Sequence, residues 1–220
     1  TSYNNTGLSA STTYYYVVRA TNVGGSSANS NEASATTQAA PTVVTFTSIG
    51  SEDGYVLEST ETSNVGGTVS STLSSTSALR TGDDNSDRQY KAFVSFDTSS
   101  IPDGATLSGT SPFTTHGTCY ADIKGGTGFG GSTALAAGDF QAAADANQVA
   151  TMSTASSNGT WSTGSINATG LGFVNKTGKT QFRVYFSLDD NDDLGNDYIG
   201  WYSGENSTSS NRPVLEVTYQ

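Results

Sequence analysis

The sequence predicts an all-β protein: a jelly-roll-like β-sandwich preceded by a short, incomplete β-ribbon. Three observations carry this. Ser and Thr supply 66 of the 220 residues and Gly another 25, beside 11 Tyr and 9 Phe. Thr and aromatic residues suit pleated strands, and Gly and Ser suit frequent turns. Apolar residues alternate at period two where the pattern is clearest, so that Tyr90, Ala92, Val94 and Phe96 share one face and Phe182, Val184 and Phe186 another. Long Ala/Leu/Glu/Lys stretches of helical period are nearly absent. Many strands with Gly-rich turns between them point to two packed antiparallel sheets.

Residues 1–38 form the first unit. In "TTYYYVVRATNVGG" the alternation places Tyr14, Tyr16, Val18 and Ala20 on one face of a strand, with Tyr15, Val17 and Arg19 on the other. "NVGGSS" supplies a turn, and Glu32 to Thr37 the last strand. Residues 39–42 are a linker of small residues in which Pro41 stops a continuous strand. Residues 43–220 read as one domain. Strands are predicted over Val43–Thr47, Tyr55–Glu58, Tyr90–Phe96, Thr118–Ile123, Gln148–Met152, Gln181–Phe186, Tyr198–Tyr202 and Val214–Tyr219. Short helical pieces are predicted around Asp139–Ala146 and Ile166–Asn175.

A two- or three-stranded ribbon is marginal alone in water. Leaving Tyr14, Tyr16 and Val18 uncovered would forfeit roughly 1.5–3 kcal/mol each. The ribbon therefore calls for a partner, either upstream strands or another surface, that of the following domain or of a neighbouring subunit, and these three residues are the candidate assembly contacts. Strand addition between identical chains would satisfy both the apolar face and the open backbone edges. The chain opens on Thr rather than Met, as expected of a processed or longer product.

The segment "GLSASTTYYYVVRATN" resembles the E–F corner and F strand of a fibronectin type III domain, through Leu8, Thr12, Tyr14, Tyr16, Val18 and Ala20. The resemblance implies that the Tyr14 hydroxyl bonds the backbone of the corner. Ala10 stands where the family has proline, and the family's first strands have no counterpart. A second stretch, "EDGYVLES … SNVGG … ALRTGDDNSDRQYKAFVSFDTSSIPDGATL", resembles the start of DNRLRE-type domains. Asp53, Tyr55, Val56, Asn64, Gly66, Phe96, Asp97, Ile101, Pro102, Gly104, Ala105 and Thr106 carry the match. It implies an extracellular jelly roll, in a group some of whose members bind carbohydrate such as alginate. After "GATL" such domains run a full strand, whereas this chain passes at once to "SGTSPF"; a strand there is expected to be short or missing.

Twenty acidic against nine basic residues give a net charge of −11, which excludes the clustered cations that nucleic acid requires and disfavours anionic membranes. No apolar run reaches membrane-spanning length. A lone cysteine, Cys119, excludes an intrachain disulfide. Five N-x-S/T sequons, at Asn4, Asn158, Asn167, Asn175 and Asn206, are candidate glycan acceptors of an exported protein.

The sharpest local signal is "DDNDDLGND". Oxygens from Asp189, Asn191, Asp193 and Asp197, with Gly195 allowing a bend, are what Ca²⁺ takes, although Leu194 and Gly200 depart from an EF-hand. Asp83, Asn85 and Asp87 form a second, weaker set. Trp201, Tyr202, Trp161 and Tyr90 are candidate stacking surfaces for sugar rings. The single histidine, His116, has no accompanying nucleophile motif, and the Gly-rich "KGGTGFGG" lacks the Lys-Ser/Thr of a phosphate loop, so no enzyme is predicted. Two functions are left: an extracellular structural protein that self-associates through its N-terminal strands, and a carbohydrate-binding or adhesion module.

Overall fold

The computed structural model describes residues 2–71, 79–100, 106–108, 116–153 and 161–219. The chain divides into two units, one formed by the residues up to Thr42 and one by Val43–Tyr219.

The first unit is a long antiparallel hairpin built from β1 (Thr13–Tyr16), β2 (Thr21–Asn22), β3 (Gly25–Ser26) and β4 (Ala33–Thr36). In β1 and β4, Thr13 lies opposite Thr36 and Tyr16 opposite Ala33. Beyond them Val18 carbonyl accepts from Ser30 N–H at 2.8 Å and Ala20 carbonyl from Ser27 N–H at 2.9 Å, so the register slips before β2 and β3 close the turn. The corner ahead of β1 folds back on it: Tyr14 Oη accepts from Ser9 N–H at 2.8 Å, and Tyr16 Oη from Asn5 Nδ2 at 3.0 Å. Tyr14 and Tyr16 are thereby half-buried, while Tyr15 and Val18 are 66% and 73% exposed.

In the second unit the strands are β5 (Thr42–Thr47), β6 (Gly54–Glu58), β7 (Gly66–Ser70), β8 (Leu79–Asp83), β9 (Gln89–Asp97), β10 (Thr106–Ser108), β11 (Cys119–Gly125), β12 (Ala146–Met152), β13 (Lys179–Phe186), β14 (Tyr198–Trp201) and β15 (Val214–Tyr219). The large sheet runs β12-β11-β13-β9-β6-β7, with β8 pairing the start of β9 and β14 pairing β8. A smaller sheet has the order β10-β15-β5.

The period-two pattern decides what each face buries. Ala92 and Phe96 of β9, Ile123 of β11, and Phe182, Val184 and Phe186 of β13 form one core with Leu79, Leu215 and Val217. Phe46, Ile199 and Trp201 pack against it, so β5 and β15 of the smaller sheet cover the large sheet and close a sandwich.

The alternate residues face the other way, and that face is polar with an apolar centre. Phe93 and Val56 pack there on Phe129 and Phe140 from the 126–144 connection. Arg183 fixes the connection in place. Its guanidinium pairs with Asp122 at 2.6 Å and donates to the carbonyls of Asp139, Phe140 and Ala142 at 3.1, 3.2 and 2.7 Å.

Those same bonds explain why the helix expected around Asp139–Ala146 does not form. Three of its carbonyls are taken by Arg183, and only a 3₁₀ turn, Ala137–Phe140, precedes β12. The second expected helix shrinks to α1 (Ala168–Leu171), capped by Asn167 Oδ1 accepting from Gly170 N–H. It tightens at once into i→i−3 bonds from Phe173 and Val174. The remaining predicted strands are present; β7 and β8 are additional, and β10 stands where the sequence predicts a short or missing strand, with residues 109–115 of that stretch lying outside the described residues.

Candidate functional site

A cleft of about 570 Å³ is lined by residues of β9 and β13 in the large sheet, β14, the 161–166 stretch and β15 of the smaller sheet. Its floor is apolar, with Phe96, Phe182, Val184 and Leu215, all nearly buried. Trp161, Trp201 and Tyr202 line it as well, so the fold brings together three of the four aromatic residues singled out in the sequence. The Trp201 indole N–H donates to Ser162 Oγ at 2.9 Å, tying β14 to the segment that carries Trp161. Trp161 is 49% exposed.

The fourth, Tyr90, is not a surface stacking residue. It sits inside β9 at 5% exposure, edge-on to Tyr55 and Tyr198 at 5.1 and 5.6 Å between ring centroids. Arg80 lies over all three rings, closest to Tyr198 at 4.6 Å. The aromatic places in this cluster are therefore occupied from within the chain.

The two acidic stretches, separate in sequence, meet in space. Asp83 Oδ1 accepts from Asp197 N–H at 3.1 Å, Asp87 Oδ1 from Leu194 N–H at 2.9 Å, and Asp83 N–H donates to the Asp197 carbonyl at 3.0 Å. Gly82 permits this approach: its φ is +119°, and a Cβ there would stand 2.0 Å from the Asp197 carbonyl oxygen. Burial raises the Asp83 carboxyl above its usual range, opposed by His116, whose Nε2 is 3.1 Å from Asp83 Oδ2 in the interior.

Asn191 Nδ2 donates to Asp193 Oδ2 and Asp197 Oδ2 at 3.1 and 3.2 Å, while Asp189 and Asn85 are exposed. Among the described residues, no three His, Cys, Asp or Glu side chains are grouped to hold a metal ion. The second acidic stretch acts here as the anchor of the first.

Of the sequons, Asn4 and Asn167 are exposed and Asn175 is half-buried, its Oδ1 accepting from Thr177 N–H. Asn206 is buried, its Oδ1 engaged by Thr208 N–H. Asn158 lies outside the described residues. Sequence reasoning missed Arg183 and Asp122. A lone arginine in "QFRVYF" was the available signal, on the face opposite the phenylalanines.

No protein-family model matches the chain, and no curated protein matches it.

Proposed function

We propose that this chain is a non-catalytic extracellular structural protein that associates with copies of itself through the N-terminal ribbon. The carrying observation is the ribbon's exposure. β1 and β4 pair only with each other among the described residues, and Tyr15, Val17 and Val18 stand in solvent at 66, 47 and 73% exposure. A ribbon with two free backbone edges and an uncovered apolar face is a template for strand addition. The contact residues shift relative to the sequence expectation, from Tyr14 and Tyr16, which their own corner engages, to Tyr15 and Val17 beside Val18.

The test is light scattering on the whole chain across a concentration series, beside Tyr15→Ser/Val17→Ser. Growth of the scattering mass with concentration, abolished in the double variant, supports the proposal. A monomer at every concentration defeats it.

A second reading, a carbohydrate-binding module, draws on the meeting of Trp161, Trp201 and Tyr202 at one cleft. Indole and phenol faces stack on the C–H faces of sugars. Quenching of tryptophan fluorescence by soluble polysaccharides, lost in Trp161→Ala, is its expected signature; unchanged emission across neutral and acidic polymers would dispose of it.

A further inference from the structure

We propose that Asn167 carries an N-linked glycan, and that Asn175 and Asn206, which bear the same N-x-S/T motif, do not. This rests on the export part of the reading above and is independent of self-association.

The local fold divides the Asn167 amide between structure and solvent. Asn167 N–H donates to the Val149 carbonyl at 2.8 Å, and its carbonyl accepts from Leu171 N–H at 3.0 Å, so the backbone is held on both sides. Oδ1 accepts from Gly170 N–H at 3.0 Å and caps α1. Nδ2, the atom that takes the sugar, makes only a long contact of 3.4 Å to the Gln148 carbonyl among the described residues. Asn167, Ala168 and Thr169 are all exposed, so the acceptor amide and the hydroxyl two positions on are open together. Substitution on Nδ2 leaves Oδ1 untouched and keeps one N–H, so cap and glycan are compatible.

The other two motifs are built differently. At Asn175, Thr177 N–H and Oγ1 both donate to Oδ1, at 3.1 and 3.0 Å, which engages the hydroxyl of the motif. Its Nδ2 lies between two turns: a Cβ at Gly178 would stand 3.0 Å from it and one at Gly126 4.0 Å. Asn206 is 8% exposed, its N–H donates to the Ser203 carbonyl, and its own carbonyl accepts from Arg212 Nε at 2.8 Å. Whatever the order of folding and transfer, the native chain has to hold the saccharide outside. Of these three, Asn167 does so.

The donor class is a lipid-linked oligosaccharide phosphate or pyrophosphate. Nδ2 bonds to the anomeric carbon, and the bond from that carbon to the phosphate oxygen breaks. The phosphate leaves with the electron pair, Nδ2 gives up one proton, and nothing is oxidised or reduced. The position also has a consequence for packing. β12 is the outermost strand of the large sheet among the described residues, and Asn167 bonds two of its carbonyls. A saccharide there bars a further strand from adding to that edge.

The test is peptide mapping by mass spectrometry on the whole chain, secreted from cells that perform asparagine-linked glycosylation, beside Asn167→Asp and Thr169→Val. Asn167→Asp keeps a capping oxygen, and circular dichroism checks that it folds; Thr169→Val keeps the acceptor and removes the hydroxyl. The expected result is glycan mass on the peptide holding Asn167, its loss in both variants, and unmodified peptides for Asn175 and Asn206. A bare Asn167 in the folded wild-type chain would overturn the proposal. Equal occupancy of Asn167 and either Asn175 or Asn206 in folded protein would overturn the sorting by exposure. Light scattering on the same material reads self-association separately, so a glycosylated monomer would defeat that reading and leave this one standing.

Discussion

The hydroxyl of Tyr14 accepts a hydrogen bond from the backbone N–H of Ser9 at 2.8 Å, which commits that ring to its own corner. The neighbouring Tyr15 lies on the opposite face of the strand and is 66% exposed. On the proposed assembly, adjacent tyrosines of one strand separate a folding role from an assembly role. Tyr14→Phe is expected to weaken the ribbon by about 1 kcal/mol, the usual worth of one hydrogen bond, and to leave association intact. Tyr15→Ser is expected to do the reverse. Thermal melting of dilute protein and light scattering of concentrated protein, run on both variants, check the pair.

The connection over the polar face of the large sheet depends on Arg183. Removing either member of the Arg183–Asp122 pair leaves a buried charge, and such losses cost about 3–5 kcal/mol. Asp122→Asn and Arg183→Met should each lower the urea midpoint strongly. Their double mutant should lose less than the sum, because the second substitution removes a charge already stranded.

Lys91 gives a pH-dependent prediction. Burial, and then the nearby Arg183, pull its amine down to about 8, although Nζ donates to the Phe140 carbonyl and lies 3.8 Å from that ring's centroid. The native state therefore prefers the neutral amine more than the unfolded chain does, whose value is near 10.5. The penalty is fully present below about pH 8 and fades as pH rises towards 10.5. Lys91→Met should stabilise the protein by about 2 kcal/mol at pH 7. The gap should close between pH 8 and 10.5, which a series of denaturant curves across that range would show.

Calcium is tested at the joined acidic loops. Burial and repulsion from Asp189 raise the Asp190 carboxyl, so added positive charge is favoured there. A cation between Asp193 and Asp197 requires Asn191 to turn its amide oxygen where Nδ2 now sits. With the affinity of extracellular modules, about 10⁻⁴–10⁻³ M, about 10 mM Ca²⁺ would add about 1–3 kcal/mol. A rise of several degrees in Tm, reversed by EDTA and absent in Asp193→Asn/Asp197→Asn, is expected; an unchanged Tm removes calcium from the account.

The sandwich was legible because Ala92, Phe96, Phe182 and Val184 alternate without interruption, and alternation is the physical cause of a one-faced core. β7 and β8 were not, because "GGTVS" and "LRTGD" lack apolar alternation and are held by their neighbours' edges. The cleft was half legible. Trp161, Trp201 and Tyr202 are distinctive residue types, but only pairing in space puts residue 161 beside residue 201. Tyr90 misled because its place in β9 buries it. The meeting of Asp87 with Leu194 and of Asp83 with Asp197 depends on β8 pairing β14, a contact that no local spacing encodes.

The most direct measurement is hydrogen exchange at the outward-facing amides of Thr13 and Tyr15 as a function of protein concentration. Thr37 N–H bonds the Thr12 carbonyl, so the alternation of an antiparallel pair turns those two amides away from β4. Strand addition between chains predicts slow exchange that strengthens with concentration and vanishes in Tyr15→Ser/Val17→Ser. Fast exchange at every concentration would contradict it.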